Sequence, residues 1–172
     1  ATAMLEALFA RPEPVVEQEQ PTTVFGIPRR TIARQEPEES RFRELPCVID
    51  ADGLNWLSEQ ENWPELLRDM SCVLTPHHGE MARLVGKERE EVRSDPWETA
   101  RSAAAEWGQV VVLKGGFTCV ATPDGELHVA PRATPELATP GTGDVLAGMI
   151  GSLLAQGCSP ADAARAAVFV GA

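Results

Sequence analysis

The hydrophobic positions of this chain form short apolar runs that alternate with longer segments of helical periodicity. Runs of Val, Ile, Leu and Cys predict buried strands at residues 46–50, 71–74 and 110–113. Apolar residues spaced three and four positions apart predict helices at residues 79–85, after residue 95 and at 145–154. Because strands and helices alternate, the pattern predicts an α/β domain whose mostly parallel sheet is covered on both faces.

Residue types that begin and end secondary structure agree with this pattern. Glycines at positions 86, 108 and 157 follow three predicted helices, and an Asp-Pro pair begins one of them. Residues 119–121 and 127–129 flank a Pro-Asp-Gly turn, which predicts a β-hairpin. The last predicted helix begins at Pro160 and is still apolar where the sequence stops. We therefore expect the sequence to be incomplete at its C-terminus.

The first quarter of the chain has a different character. Apolar residues on one helical face of residues 1–10 predict a short amphipathic helix. Five prolines then interrupt residues 11–43, where only residues 22–27 have the pattern of a strand. We therefore divide the chain into a segment at 1–44 that is partly loop and a core domain at 45–172.

Composition limits the class of partner. The 172 residues are 43% hydrophobic, which is enough for one domain with a core. The net charge of −11 argues against nucleic acid or an anionic membrane as the main partner. The four cysteines form no CxxC pair, and no apolar run approaches the ~20 residues of a membrane span. We expect a cytoplasmic protein that binds small molecules, and a homo-oligomer is left open.

The turn TPGTGD at residues 139–144 carries the first candidate chemistry. Gly141 and Gly143 flank Thr142, and glycines let the backbone approach a phosphate closely. The first turn of the following helix offers unpaired N–H groups and a partial positive charge to an anion. Asp144 closes this turn. It is either a helix cap or a general base, or a magnesium partner, above a substrate hydroxyl, and the turn alone leaves these roles open.

Polar residues follow the other predicted strands. Asp50 and Asp52 follow the first strand, His77 the second and Lys114 the third. Because ligands of open parallel sheets bind at the carboxyl ends of the strands, we expect these residues to lie near Asp144. Each of these residues also has a purely structural interpretation: either aspartate could cap the following helix, His77 could be a surface histidine, and Lys114 could be a solvated lysine. If one of the aspartates orients Mg²⁺, Asp52 is slightly favoured over Asp50.

Four segments together resemble the nucleotide-dependent NAD(P)H-hydrate dehydratases. They are IDADGLN at 49–55, LTPHHGEM at 74–81, LKGGFT at 113–118 and GTGDVLAG at 141–148, in the order found in that family. The resemblance covers about residues 46–172 and implies a ribokinase-like three-layer αβα fold, here truncated. It also implies a repair enzyme that uses ADP, or ATP in some members, with Mg²⁺, to dehydrate the S epimer of hydrated NADH or NADPH.

The same resemblance implies a role for individual residues. His77 matches the histidine that binds the hydrate, and Asp144 matches the aspartate at the hydrated nicotinamide, which we expect to be the catalytic base. Asp52 is a further expected substrate contact. The expected nucleotide contacts are Lys114, Gly115, Gly116, Phe117, Thr118, Gly141, Thr142 and Gly143. No metal ligand follows from the resemblance.

Three positions and one segment depart from the family pattern. Pro140 stands where a glycine usually precedes GTGD, and its missing N–H predicts weaker nucleotide binding that Pro140→Gly would restore. His78 replaces a proline and Gly53 an alanine. The glycine-rich opening segment of the family is not visible before residue 45, so the chain is either a fragment or a degraded copy.

Two other functions stay open at this point. A related small-molecule kinase of the vitamin-precursor type would use the same turn and aspartate but release an intact phosphoester. A non-catalytic fragment would bind nucleotide without turnover. A Rossmann dehydrogenase is disfavoured because no GxGxxG follows a strand.

Overall fold

The computed structural model describes residues 43–130 and 141–171, together with Glu6, Phe9 and the backbone of two short strands before residue 30. Those two strands, β1 (Thr23–Val24) and β2 (Ile27–Pro28), pair antiparallel. The prediction of a single strand at residues 22–27 is therefore wrong. A period-2 apolar pattern does not reveal where a chain reverses, and the glycine at position 26 of the sequence is the stronger signal for a turn.

The main sheet has five strands in the order of their numbers. They are β3 (Cys47–Ile49), β4 (Cys72–Leu74), β5 (Val110–Leu113), β6 (Cys119–Ala121) and β7 (Leu127–Val129). Strands β3, β4 and β5 are parallel, as predicted, whereas β6 pairs antiparallel with both β5 and β7. The predicted hairpin is thus confirmed, and it ends the parallel part of the sheet.

Seven helices surround the sheet within the described ranges. They are α1 (Asp52–Ser58), α2 (Pro64–Leu67), α3 (His78–Val85), α4 (Arg89–Ser94), α5 (Pro96–Trp107), α6 (Thr142–Ala155) and α7 (Pro160–Gly171). The four longest agree with the predicted helices. Asp95 begins α5 by accepting from the backbone N–H of Glu98, and Gly108 ends it at a φ of 66°. Helices α2 and α4 were not predicted, because four and six residues are too few to show a helical period.

The two faces of the sheet are buried by different helices. Alternate residues such as Ile49, Leu74 and Val111 pack in one cluster with apolar residues of α1 to α5. Their neighbours, such as Val73 and Val110, pack in a second cluster with α6 and α7. Because consecutive strand residues point to opposite faces, both clusters draw on the same strands. The expected three-layer αβα architecture is confirmed.

Of the amphipathic helix predicted at residues 1–10, Glu6 and Phe9 are helical and the other positions lie outside the described residues. Phe9 is buried and stacks on Trp56, with ring centroids 5.3 Å apart. This contact places Phe9 against the core helix α1. No helix in the described ranges is long and apolar enough to cross a membrane.

Candidate functional site

The carboxyl ends of β3 and β5 are joined by an ion pair. Lys114, directly after β5, places its Nζ 2.7 Å from Oδ1 of Asp50, directly after β3. Both side chains are largely withdrawn from solvent, with 21% of Lys114 and 14% of Asp50 exposed. The same Asp50 oxygen accepts the N–H of Ala51 at 2.9 Å. Ala51 has a φ of 47°, a conformation that residues other than glycine rarely adopt, and this hydrogen bond supports it.

Helix α6 begins beside this ion pair. A Cβ built on Gly143 would lie 3.4 Å from Lys114 Nζ and 3.7 Å from Asp50 Oδ2. The backbone of the first turn therefore lies directly against the Lys114 ammonium. Gly141 precedes the helix with a φ of 94°, which glycine adopts readily, and no side chain caps this helix end. The N-terminus of the helix and the nearby cation together form a surface suited to a phosphate.

Asp144 is the third residue of α6. Its side chain is exposed and forms no hydrogen bond or ion pair with the described residues. Since the N-cap position belongs to Gly141, the alternative that Asp144 caps the helix is not supported. The exposed position of Asp144 at the start of α6 suits contact with a ligand. Pro140, where we expected weaker nucleotide binding, lies outside the described residues.

His77 has a structural role that sequence reasoning missed. It is the N-cap of α3, and its Nδ1 accepts the backbone N–H groups of Gly79 and Glu80, each at 3.0 Å. The Glu80 carboxylate accepts the N–H of His77 at 2.8 Å, which completes a capping box. Because Nδ1 is an acceptor, the ring carries its proton on Nε2, 3.5 Å from the other Glu80 oxygen. In the sequence, the available signal for this cap was the glutamate at position 80, three residues after His77.

We expect His77→Ala to lower the free energy of unfolding by about 0.5–2 kcal/mol, because two N–H groups of α3 lose their acceptor. His77→Asn is the matched control, since asparagine caps helices well and is expected to keep the stability. Urea unfolding measures both variants. Equal stability of His77→Ala and the unmodified protein would contradict the capping role.

His78 packs against the segment that follows β5. Its ring lies so near Gly115 that a Cβ built there would be 2.5 Å from His78 Cε1. A side chain on Gly115 would therefore displace the His78 ring, whereas nothing lies within 4 Å of a Cβ on Gly116. Burial, followed by the charges of Arg93, Arg89 and His77, lowers the pKa of His78 below its usual range. The neutral ring is the form that packs on this segment.

The remaining predicted residues are less enclosed. Phe117 is 56% exposed, and Thr118 is half-buried and accepts from the N–H of Ala130 through its carbonyl at 2.8 Å. Asp52 is exposed in the first turn of α1 and does not cap that helix, whose N-cap is Ala51. The structure thus brings Asp50, rather than Asp52, to Lys114. It also places Lys114 beside His77 through a parallel bridge.

An open cleft of about 610 Å³ lies along α3. His77 and Gly79 line one part of it, and the basic residues Arg83, Lys87 and Arg89 line another, together with Glu88 and Glu91. Lys114 and Asp144 are not among its lining residues. Of the predicted site residues, His77 therefore faces this cleft, which is distinct from the phosphate-suited surface at the start of α6.

The described residues contain no cluster of three or more His, Cys, Asp or Glu side chains able to hold a metal ion. Mg²⁺ in nucleotide sites, however, is usually held by one or two carboxylates together with phosphate oxygens and water. The exposed Asp144 carboxylate at the start of α6 fits that arrangement, whereas Asp50 already accepts from Lys114. The donor set fits a magnesium ion carried by a nucleotide and not a dedicated metal centre.

Comparisons with known proteins agree with this fold. A sequence profile of the NAD(P)H-hydrate dehydratase family matches residues 26–172. The ADP-dependent (S)-NAD(P)H-hydrate dehydratase of Neisseria meningitidis serogroup B is 45% identical over 128 residues, covering 74% of this chain and 43% of that protein. The ADP/ATP-dependent NAD(P)H-hydrate dehydratase from Bacillus subtilis, co-crystallised with ATP and Mg²⁺, superposes with a TM-score of 0.64 at 35% identity, covering 73% of this chain and 43% of that one.

A third relative identifies the fold. A ribokinase-like superfamily protein from Enterococcus faecalis has a TM-score of 0.57 at 29% identity and covers 72% of this chain and 42% of that one. The fold, with its phosphate-suited helix start, is thus that of a ribokinase-like α/β protein. Within that class, the chain belongs to the NAD(P)H-hydrate dehydratase family. It spans less than half the length of each of these three relatives.

Proposed function

We propose that this chain carries the nucleotide and hydrate sites of a dehydratase that converts the S epimer of hydrated NADH or NADPH to NADH or NADPH. ADP, or ATP, is the co-substrate, and ADP yields AMP and phosphate. The observation that carries the proposal is the closeness of Gly143, at the start of α6, to the Lys114–Asp50 pair, one residue before the exposed carboxylate of Asp144. The names of the two dehydratase relatives support the choice of substrate.

In this proposal the nucleotide phosphates bind at the start of α6. The N–H groups of residues 141–143 and the ammonium of Lys114 contact them, and residues 115–118 form the neighbouring wall. A phosphate there interacts with a helix N-terminus and with a cation whose own charge is balanced by Asp50. Local groups of this kind hold an anion although the whole chain carries a net charge of −11.

Asp144 is the proposed base. Its carboxylate takes the proton from the hydroxyl of the hydrated ring, and the oxygen forms a bond to the terminal phosphorus of ADP while the bond to the AMP oxygen breaks. The lone pair of the ring nitrogen then expels the phosphate by breaking the carbon–oxygen bond. Loss of a proton from the adjacent ring carbon restores the dihydronicotinamide. Phosphorylation thus converts hydroxide, a poor leaving group, into phosphate.

The other proposed substrate contacts are His77, which adjoins the cleft along α3, and Asp52. The basic side chains of that cleft suit the phosphates of a dinucleotide. Bound Mg²⁺ would neutralise part of the phosphate charge that develops during transfer. We propose the cytoplasm as the compartment, because reduced nicotinamide cofactors work and decay there, and residues 45–172 as the catalytic core.

Product analysis tests the proposal. The product of the complete gene that encodes these residues is incubated with hydrated NADH, ADP and Mg²⁺. We expect NADH, AMP and phosphate in equal amounts. An intact phosphoester of another small molecule would identify a kinase instead, and nucleotide binding without turnover would identify a non-catalytic fragment.

ADP with Mg²⁺ is expected to raise the thermal midpoint of the protein, because a ligand that binds only the folded state stabilises it. At one hundred times the dissociation constant the stabilisation is about 2.7 kcal/mol. Differential scanning calorimetry measures the shift, and adenosine, which lacks phosphates, is the matched control. A shift with adenosine equal to that with ADP would argue against a phosphate site at α6.

A further inference from the structure

Two cysteines face each other across the first two strands of the main sheet. Cys47 of β3 is the register partner of Cys72 of β4, and their sulfur atoms are 3.2 Å apart. Neighbouring strands lie about 4.8 Å apart, and this spacing falls within the Cα separation of about 4.4–6.8 Å that disulfides bridge. Both side chains contact the same apolar cluster, so they point to the same face of the sheet.

The two thiols differ in access and in acidity. Cys72 is 1% exposed, whereas Cys47 is half-buried and reaches solvent. The hydrogen bond with Cys72 lowers the pKa of the Cys47 thiol, against the opposing effect of burial. The same hydrogen bond, together with burial, raises the pKa of Cys72. Both the difference in access and the direction of these shifts favour Cys47 as the thiol that meets an oxidant first.

The other two cysteines lack this arrangement. Cys119 is fully buried, and burial raises the pKa of its thiol to about 11. Cys158 is half-buried like Cys47 but packs in the cluster on the opposite face of the sheet. Among the described residues, Cys47 and Cys72 are the cysteine pair in sulfur contact.

We propose that Cys47 and Cys72 form a peroxide-sensitive thiol pair that closes into a reversible disulfide between β3 and β4. This site is separate from the phosphate-suited surface, because the two cysteines precede the carboxyl ends of their strands. It does not depend on the proposed function.

Hydrogen peroxide is the oxidant in this scheme. The Cys47 thiolate attacks one peroxide oxygen, the oxygen–oxygen bond breaks, and Cys47 becomes a sulfenic acid while hydroxide leaves. The Cys72 sulfur then attacks the Cys47 sulfur, the sulfur–oxygen bond breaks, and the departing hydroxide leaves as water with the Cys72 proton. In sum, two thiols lose two electrons and two protons, and one peroxide becomes two waters. A dithiol reductant reverses the reaction.

The test maps peptides of the unmodified protein after peroxide treatment and alkylation, without reduction. We expect a linked Cys47–Cys72 peptide that is two hydrogens lighter than the sum of its parts and that disappears after dithiol treatment. Cys158→Ser, the matched control, is expected to keep the linkage. Recovery of Cys47 and Cys72 as separate alkylated peptides, under conditions that oxidise a free thiol of small peptides, would overturn the proposal.

A second variant separates the role of Cys47, which peroxide oxidises, from that of Cys72, which closes the disulfide. In Cys72→Ala the sulfenic acid of Cys47 has no resolving thiol, so we expect dimedone to label Cys47. Dimedone labelling of Cys158 at the same rate as Cys47 would show that accessibility alone governs oxidation and would overturn the assigned roles. The peptide map of the unmodified protein needs no variant and stands even if Cys72→Ala fails to fold.

Discussion

Asp144→Asn is expected to lower turnover of hydrated NADH by about 10²–10⁴-fold while ADP binds as tightly as before or slightly more tightly. The carboxylamide cannot take the proton from the hydroxyl, so the attacking oxygen stays weakly nucleophilic. Removing a negative charge beside the phosphates relieves repulsion and does not remove a contact. Absorbance of the reduced nicotinamide measures the rate, and calorimetry measures the affinity for ADP.

Asp162→Asn is the matched control for this variant. Asp162 is an exposed aspartate at the third position of α7, the same position that Asp144 holds in α6. Its role is local, because its carboxylate accepts from the hydroxyl of Ser159, three residues earlier, at 2.7 Å. Turnover is expected to be unchanged in the Asp162 variant. Near-normal turnover in Asp144→Asn would contradict the catalytic assignment.

Lys114→Ala is expected to lower the free energy of unfolding by about 2 kcal/mol and to weaken ADP binding. The variant leaves the Asp50 carboxylate, 14% exposed, without its cation, and an unpaired enclosed charge costs more than a surface ion pair contributes. Urea unfolding gives the stability. The affinity falls because the proposed phosphate site loses its ammonium.

Two further variants test the origin of the lost stability. Lys114→Met combined with Asp50→Asn is expected to recover most of the stability, because both charges are removed together, but not the ADP affinity. Arg101→Ala breaks an exposed pair with Glu98, in which about half of each side chain is accessible, and is expected to cost about 1 kcal/mol or less. Equal losses in Lys114→Ala and Arg101→Ala would contradict the enclosed nature of the Lys114–Asp50 pair.

Much of the fold could be predicted from the sequence, because buried strands and long helices leave periodic patterns that short elements do not. The runs at β3, β4 and β5 are apolar throughout, since both faces of the sheet are covered. Helices α2 and α4 left no such pattern. The division of residues 22–27 into two paired strands depends on a chain reversal, which the alternation of side chains does not encode.

The candidate site was predictable as a set of loops but not as a set of contacts. Parallel strands place the residues that follow them at one edge, and Asp50 and Lys114 meet there although 64 positions separate them. Which of Asp50 and Asp52 faces Lys114 depends on the unusual backbone of Ala51 between them. The cap at His77 was missed because histidine is not among the residues that usually begin helices, although Glu80 three residues later is typical of a capping box.

The central claim is that the hydroxyl of the hydrate is phosphorylated before it leaves, and the fate of its oxygen tests this directly. Hydrated NADH carrying ¹⁸O in that hydroxyl is converted with ADP and Mg²⁺ by the product of the complete gene. If the hydroxyl oxygen attacks the terminal phosphoryl group and the carbon–oxygen bond then breaks, the label appears in inorganic phosphate. Recovery of the label in water would contradict the account, because the hydroxyl would then have left without accepting a phosphoryl group.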